Sequence, residues 1–240
     1  MLPLTLLHAG TAMRVWQIDL DATPTPQAVA ALSDGEWERA RRFVFKRDRQ
    51  RFIAAHAALR ETLSSQVGLP AAMLEFEQGP FGKPSLVEPS ALRFNLSHSQ
   101  GMGLIAVCDD VEIGADIELL RPMSDIDALA RNYFSERERD ALEALPRELH
   151  ERAFLTCWTR KEACLKATGM GLSVDTRSFE VGVVPDAREL TIHTAEGSTR
   201  LALQSVGDVE GAMCAVARVL AHREADPVRR LAEPEGEMCR

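Results

Sequence analysis

The sequence predicts an α+β protein in which helices feeding short strands occur twice along the chain. Three observations carry this: capping boxes at Ser33-x-x-Glu36 and Ser135-x-x-Glu138, a β-rich run from Phe94 to Glu118, and a helical stripe at Phe154, Leu155, Trp158 and Leu165 followed by four strand-like segments. The two units divide at residues 13–120 and 121–220.

Residues 13–20 alternate as a first strand, whereas residues 1–12 carry little pattern and are expected to be a loose extension. Asp21-Ala-Thr-Pro-Thr-Pro26 is a turn and linker. The Ser33 box opens a helix toward Phe43, and a second helix spans residues 47–67. Residues 74–77 form a short strand, and Gly79-Pro80-Phe81-Gly82-Lys83-Pro84 is a tight loop presenting Lys83. Strands follow at 92–96 and 103–107, joined by Ser97-His98-Ser99-Gln100-Gly101.

After a β-rich segment ending at Glu118, Arg121-Pro122 breaks the chain, Ser124 caps a helix toward Tyr133, and the Ser135 box opens the next. The 154–172 stretch reads as the end of a longer helix, free of Pro and Gly up to Lys166 and stopped by Gly169 and Gly171. Strands are expected at 179–184, 189–194, 201–206 and 212–219. From Ala221 the chain is charged, contains Pro227 and Pro234 and lacks periodicity, as a frayed tail would.

A chain of 240 residues that is 45% hydrophobic can build a sizeable core. A net charge of −8 argues against general nucleic-acid binding, which needs a basic surface. No run approaches about 18 apolar residues, and Met-Leu-Pro-Leu-Thr-Leu-Leu lacks a basic flank, so neither a membrane span nor a signal peptide is expected. Cys108, Cys157, Cys164, Cys214 and Cys239 form no C-x-x-C pair, which fits neither a disulfide framework nor a zinc site. A cytoplasmic protein with reduced thiols is the expectation.

Candidate chemistry lies in two stretches. Glu162 and Lys166 are four apart and leave the same helix face, with Trp158 one turn earlier. Taken alone, they read as an ion pair on a solvated face. Asp116 and Glu118 are two apart in a strand, so they share a face and repel each other unless a cation or deep solvent exposure relieves them. Oxygen-only ligation of that kind suits Mg²⁺. Between Glu36 and Arg51, seven basic residues face three acidic ones, a local positive patch that is either a solvated face or a clamp for a phosphate-rich ligand.

Together, Gly114-x-Asp116-x-Glu118 and Trp158-x-x-Lys161-Glu162-Ala163-x-x-Lys166 resemble the paired signature of 4′-phosphopantetheinyl transferases, in particular the single-chain surfactin-synthetase-activator type. Gly82-Lys83-Pro84 and Asn95-Leu96-Ser97-His98-Ser99 match the same class, in order. The resemblance implies two similar α+β halves related by a pseudo-twofold, with antiparallel sheets, long helices and the active site between them. It implies transfer of 4′-phosphopantetheine from coenzyme A to a serine of an apo acyl or peptidyl carrier protein, with Mg²⁺ as cofactor. It also implies roles: Asp116, Glu118 and Glu162 as metal ligands, Glu162 as general base and Lys166 as the cation at the phosphate. Arg51, Arg39, Lys83, Ser97, His98 and Lys161 would contact coenzyme A. Such a site lies within one chain, so a monomer suffices. A Mg²⁺-dependent phosphodiesterase or nuclease, or a non-catalytic carrier-binding module, would use similar residues; the acidic charge disfavours a polynucleotide, and the intact carboxylates disfavour a module without activity.

Overall fold

Alternating burial along the strands sorts their apolar residues onto two faces, and each face finds a different partner. In the computed structural model, which describes residues 4–10, 13–87, 91–194, 197–207 and 209–220, the first sheet has the order β1 (Leu4–Ala9), β2 (Met13–Asp19), β6 (Met102–Asp109), β5 (Leu92–Ser99). Ile18, Phe94, Ile105 and Val107 face one way and pack with Ala54, Ala58 and Leu63 of α3 (Lys46–Val67). Val15, Leu104 and Ala106 face the other way and meet the second sheet.

That second sheet has the order β7 (Ile113–Leu119), β10 (Ala212–Val219), β9 (Gly197–Ser205), β8 (Arg188–Thr194). Ile113, Ala115, Ile117 and Val216 close the core between the sheets. Leu201, Leu203, Ala215 and Ala217 instead pack with α6 (His150–Thr168). Every pairing in both sheets is antiparallel.

The strand orders reveal the repeat. In each half a strand precedes a long helix, and a later hairpin returns so that its last strand pairs with the first: β2 with β6 in one half, β7 with β10 in the other. Ala106-Val107 and Ala215-Val216 sit on these equivalent returning strands.

Smaller elements complete the chain. α1 (Pro26–Ala30) is capped by Thr25, and α2 (Asp34–Arg41) starts with the expected Ser33 capping box. β3 (Phe76–Gln78) and β4 (Pro84–Leu86) pair as a hairpin around the Gly79 to Lys83 loop. α5 (Glu136–Glu143) starts at the Ser135 capping box.

Four expectations are corrected. Residues 4–9, read as part of a loose extension, form an edge strand on β2. The carboxylate strand β7 hydrogen-bonds in the second sheet, so the division between halves falls before it rather than after residue 120. The helix whose end was expected at Gly169 does end there: α6 stops at Thr168, and Gly169, at φ 68°, donates its N–H to the Leu165 carbonyl. Ser124 does not cap α4 (Ile126–Tyr133), whose cap residue is Asp125, without a side-chain bond. Residues 179–184 form no strand, although Phe179, Val181 and Val183 are buried in alternation.

The four described cysteines, Cys108, Cys157, Cys164 and Cys214, are free and buried, and Cys239 lies outside the described residues, as does the stretch from 221. Among the described residues, no helix is long and apolar enough to cross a membrane.

Candidate active site between the halves

The carboxylates are placed by a glycine. β7 lies so close to α6 that a Cβ on Gly114 would fall 2.1 Å from the Ala163 carbonyl oxygen and 2.3 Å from the Ala167 nitrogen. No side chain fits there without moving backbone, so Gly114 sets the spacing between the strand and the helix. Asp116 and Glu118 follow on the same face as Gly114 and stand opposite Glu162 and Lys166.

β5 lies along the free edge of β7 and bonds to it through side chains. Asn95 Oδ1 accepts the Ala115 N–H at 2.9 Å, Ser97 Oγ donates to Asp116 Oδ1 at 2.8 Å, and Ser99 Oγ donates to Glu118 Oε2 at 2.7 Å while accepting the Leu119 N–H at 3.3 Å. An edge strand needs partners for its exposed N–H groups, and here alternate small polar residues of the other half supply them. The Asn-x-Ser-x-Ser pattern thereby joins the two halves and orients both carboxylates.

Lys166 completes the centre. Its Nζ lies 2.5 Å from Asp116 Oδ1 and 3.1 Å from Ser97 Oγ. The expected bond to Glu162, one turn earlier, is not made. Glu162 has neither a hydrogen bond nor an ion pair with any described residue, and Asp116 Oδ2 is buried without a partner among them.

Burial pushes the carboxyl groups of Asp116, Glu118 and Glu162 above their ordinary range. The Asp116 and Glu118 charges raise Glu162 further, against the opposing pull of Lys166. The three carboxylates therefore sense one another across a single cleft. Among the described residues, no three of His, Cys, Asp and Glu stand close enough to enclose a metal.

The remaining predicted residues divide. Lys83 and Lys166 line one cavity of about 290 Å³ with Phe81, Asn95 and Glu162. Lys83 Nζ is bound to Glu112 at 2.5 Å and to the Ile113 carbonyl at 2.8 Å. Arg51 makes a two-pronged pair with Asp21 at 2.7 and 2.8 Å, beneath the β5–β6 turn, where a Cβ on Gly101 would strike Asp21 Oδ2. His98 is exposed on β5; desolvation at the cleft, then the Lys166 and His56 charges, lower its pKa. Arg39 is exposed on α2, its guanidinium 5.5 Å from the centre of the Phe52 ring.

Three expectations change at the site. Ser97 is buried and bonded to Asp116 and Lys166 rather than presented to a nucleotide. Lys161 is 1% exposed and bonded to Glu138 at 2.7 Å and to the Thr176 and Phe179 carbonyls at 2.7 and 2.8 Å, so it does not reach the cleft. Trp158 packs against Tyr133 and Phe154 instead of joining Glu162 and Lys166. Glu36, an acid within the basic patch, holds Arg60 at 2.7 Å and His56 at 2.8 Å, and these bonds outweigh burial to bring its pKa down to about 2.

Asn95 and Ser99 within the quoted motif, and Asp21, Glu112 and Glu138 outside it, are the site-shaping residues that sequence reasoning missed. The alternation of Asn95, Ser97 and Ser99 was the available signal for the first two. A larger cavity of about 490 Å³ lies at the other end of α6, lined by Leu149, Thr156, Val183 and Met213, and contains none of the predicted residues.

Comparison with known proteins points the same way. Residues 112–217 match the 4′-phosphopantetheinyl transferase superfamily, and residues 21–109 match a family described as 4′-phosphopantetheinyl transferase, N-terminal. The chain is 40% identical over 187 residues to the 4′-phosphopantetheinyl transferase HetI of Nostoc sp., covering 76% of this chain and 78% of that protein. It is 31% identical over 180 residues to the Bacillus subtilis transferase ffp, covering 73% and 79% of the two chains. With Bacillus subtilis Sfp the identity is 32% over 157 residues, or 65% and 69% of the chains.

Proposed function

This chain belongs to the 4′-phosphopantetheinyl transferase superfamily, and on that premise we propose how the residues gathered between β7 and α6 carry out the transfer. The enzyme moves phosphopantetheine from coenzyme A to a carrier protein. In the reading favoured here the acceptor is a serine hydroxyl of an apo acyl or peptidyl carrier. Its oxygen attacks the pantetheine-bearing phosphorus, the P–O bond to the nucleotide breaks, and adenosine 3′,5′-bisphosphate leaves with the electron pair.

The observation that supports this most is the convergence of Asp116, Glu118, Glu162 and Lys166 in one cleft. Glu162 takes the serine proton: it has no hydrogen-bond or ion-pair partner among the described residues, and its raised pKa makes it a better base than an ordinary carboxylate. Lys166 faces the charge that develops on the phosphate. Ser97 and Ser99 keep Asp116 and Glu118 oriented. Arg51 and His98, on the rim, receive the 3′-phosphate of coenzyme A, and Lys83 receives its pyrophosphate.

The chemistry of the donors suits Mg²⁺, because Asp116 Oδ2 is a buried oxygen without a partner among the described residues and its neighbours are carboxylates. Asp116, Glu118 and Glu162 would hold it once drawn together from their wider spacing in the substrate-free chain, and bound there it would neutralise pyrophosphate charge. All these residues come from one chain, consistent with a monomer.

The test is intact-mass spectrometry of a panel of apo carriers incubated with the enzyme, coenzyme A and Mg²⁺. A phosphopantetheine mass gain that EDTA abolishes is expected. No gain on any carrier, with folded enzyme, would overturn the reading. No observation favours the nuclease or the non-catalytic module.

A further inference from the structure

Lys166 could pair with the local Glu162 or with Asp116, and it takes the less local one. Glu162, one turn away on its own helix, is the usual i,i+4 partner, yet the ammonium lies on Asp116 of another element, 2.5 Å from Oδ1. Ser97 fixes this choice, since its hydroxyl donates to the same Oδ1 and accepts from Lys166 at 3.1 Å. Without a cation there, Asp116 would face Glu118 and Glu162 across the cleft as a third negative charge. The Asp116 side chain is 6% exposed, whereas that of Lys166 is 30% exposed at the end of a flexible stem. The carboxylate is fixed and the ammonium can leave.

From this geometry we infer that Lys166 is a built-in counter-ion that competes with a divalent cation for Asp116. In the substrate-free enzyme it neutralises Asp116; when a phosphate enters the cleft, Lys166 transfers to it and Asp116 becomes available to the metal. Metal affinity is therefore low in the free enzyme and is coupled to occupation of the phosphate site through one side chain. The inference rests on the functional reading above, but its tests do not use transfer activity. The carrier-mass assay uses none of the variants below, so the two failures are distinguishable.

Titrate Mn²⁺ calorimetrically into the full chain without coenzyme A, comparing wild type, Lys166→Met and Lys83→Met. Lys83 lines the same cavity but is bound to Glu112, so it controls for loss of a nearby positive charge in general. Lys166→Met is expected to bind Mn²⁺ about tenfold more tightly than wild type, and Lys83→Met within about twofold of it. Equal or weaker binding by Lys166→Met, or the same gain in both variants, would overturn the inference.

A measurement on wild-type protein keeps the test valid if the variant folds poorly. Acylation of lysine amines, mapped by peptide mass, should label Lys166 several-fold faster with saturating Mn²⁺ and leave Lys83 unchanged. Labelling of Lys166 that does not respond to the metal would also overturn it.

Discussion

Two lysines on one helix, five residues apart, each meet a carboxylate in poorly hydrated surroundings, and the two pairs differ in what is left over. Around Glu138 nothing is. Its Oε1 accepts the Val181 and Gly182 N–H groups, its Oε2 accepts Ser135 N–H and Lys161, and Lys161 spends its other bonds on two carbonyls. Around Asp116, Oδ1 takes both Ser97 and Lys166, and Oδ2 has no described partner. A buried pair with every bond made is a fastening, whereas one with an orphaned oxygen holds capacity for something else. The Lys-Glu motif thus joins a structural lysine to the glutamate proposed as the base, side by side on α6.

The comparison breaks most sharply at Glu162. Glu162→Gln should lower turnover by roughly 10²–10⁴-fold with little change in melting temperature. Asp116→Asn should also lose turnover, but raised Mg²⁺ should restore part of it, which Glu162→Gln would not show. Equal responses to Mg²⁺ would make Glu162 a ligand alone.

Gly114→Ala attacks the spacing that both pairs depend on. With a Cβ 2.1 Å from the Ala163 carbonyl, the strand and helix must separate, at a cost of roughly 1–3 kcal/mol in chemical denaturation, and turnover should fall with it. Wild-type stability in that variant would show that the spacing is adaptable.

Acidification separates the regions by sign. Glu162, Glu118 and Asp116 are raised, so the ionised forms that the proposed mechanism uses are lost as pH falls through values above the ordinary carboxylate range. Glu36 is lowered to about 2, so its stabilising contribution is complete above its ordinary pKa of 4.5 and disappears only as pH falls from there toward 2. Activity should therefore fail at a pH where circular dichroism still reports a native fold. Simultaneous loss of both would contradict the assignment.

The most local effect concerns the rim. Arg51→Ala and His98→Ala should each weaken coenzyme A binding by roughly 1.5–3 kcal/mol and leave 3′-dephospho-coenzyme A nearly unaffected, measured by calorimetry. Equal losses on both ligands would remove the 3′-phosphate from this rim.

Much of this was legible in the sequence because local chemistry and fold agree there. The capping boxes at Ser33 and Ser135 form as expected, and Gly169 stops α6 in the left-handed conformation. Residues 179–184 were misread because their burial does alternate, as a strand's would. Their backbone groups go instead to buried side chains: Lys161 and Arg160 take the Phe179 and Val181 carbonyls, and Glu138 takes the Val181 and Gly182 N–H groups. Periodicity reports burial but not which partner satisfies the backbone. For the same reason Lys161 looked like a ligand contact: its partner Glu138 lies 23 positions away in sequence, on α5. β1 was missed because its Leu-Thr-Leu-Leu run lies on a sheet edge with little burial to pattern it.

The claim that a satisfied buried pair is structural and an unsatisfied one functional is tested most directly by measuring melting temperature and turnover for Glu138→Gln and Asp116→Asn side by side. Removing the charge of Glu138 breaks a fully bonded network, so that variant should lose roughly 3–5 kcal/mol of stability while its folded fraction keeps near wild-type turnover. Asp116→Asn should keep most of its stability and lose most of its turnover. The reverse pattern, or parallel losses in both quantities for both variants, would contradict the account.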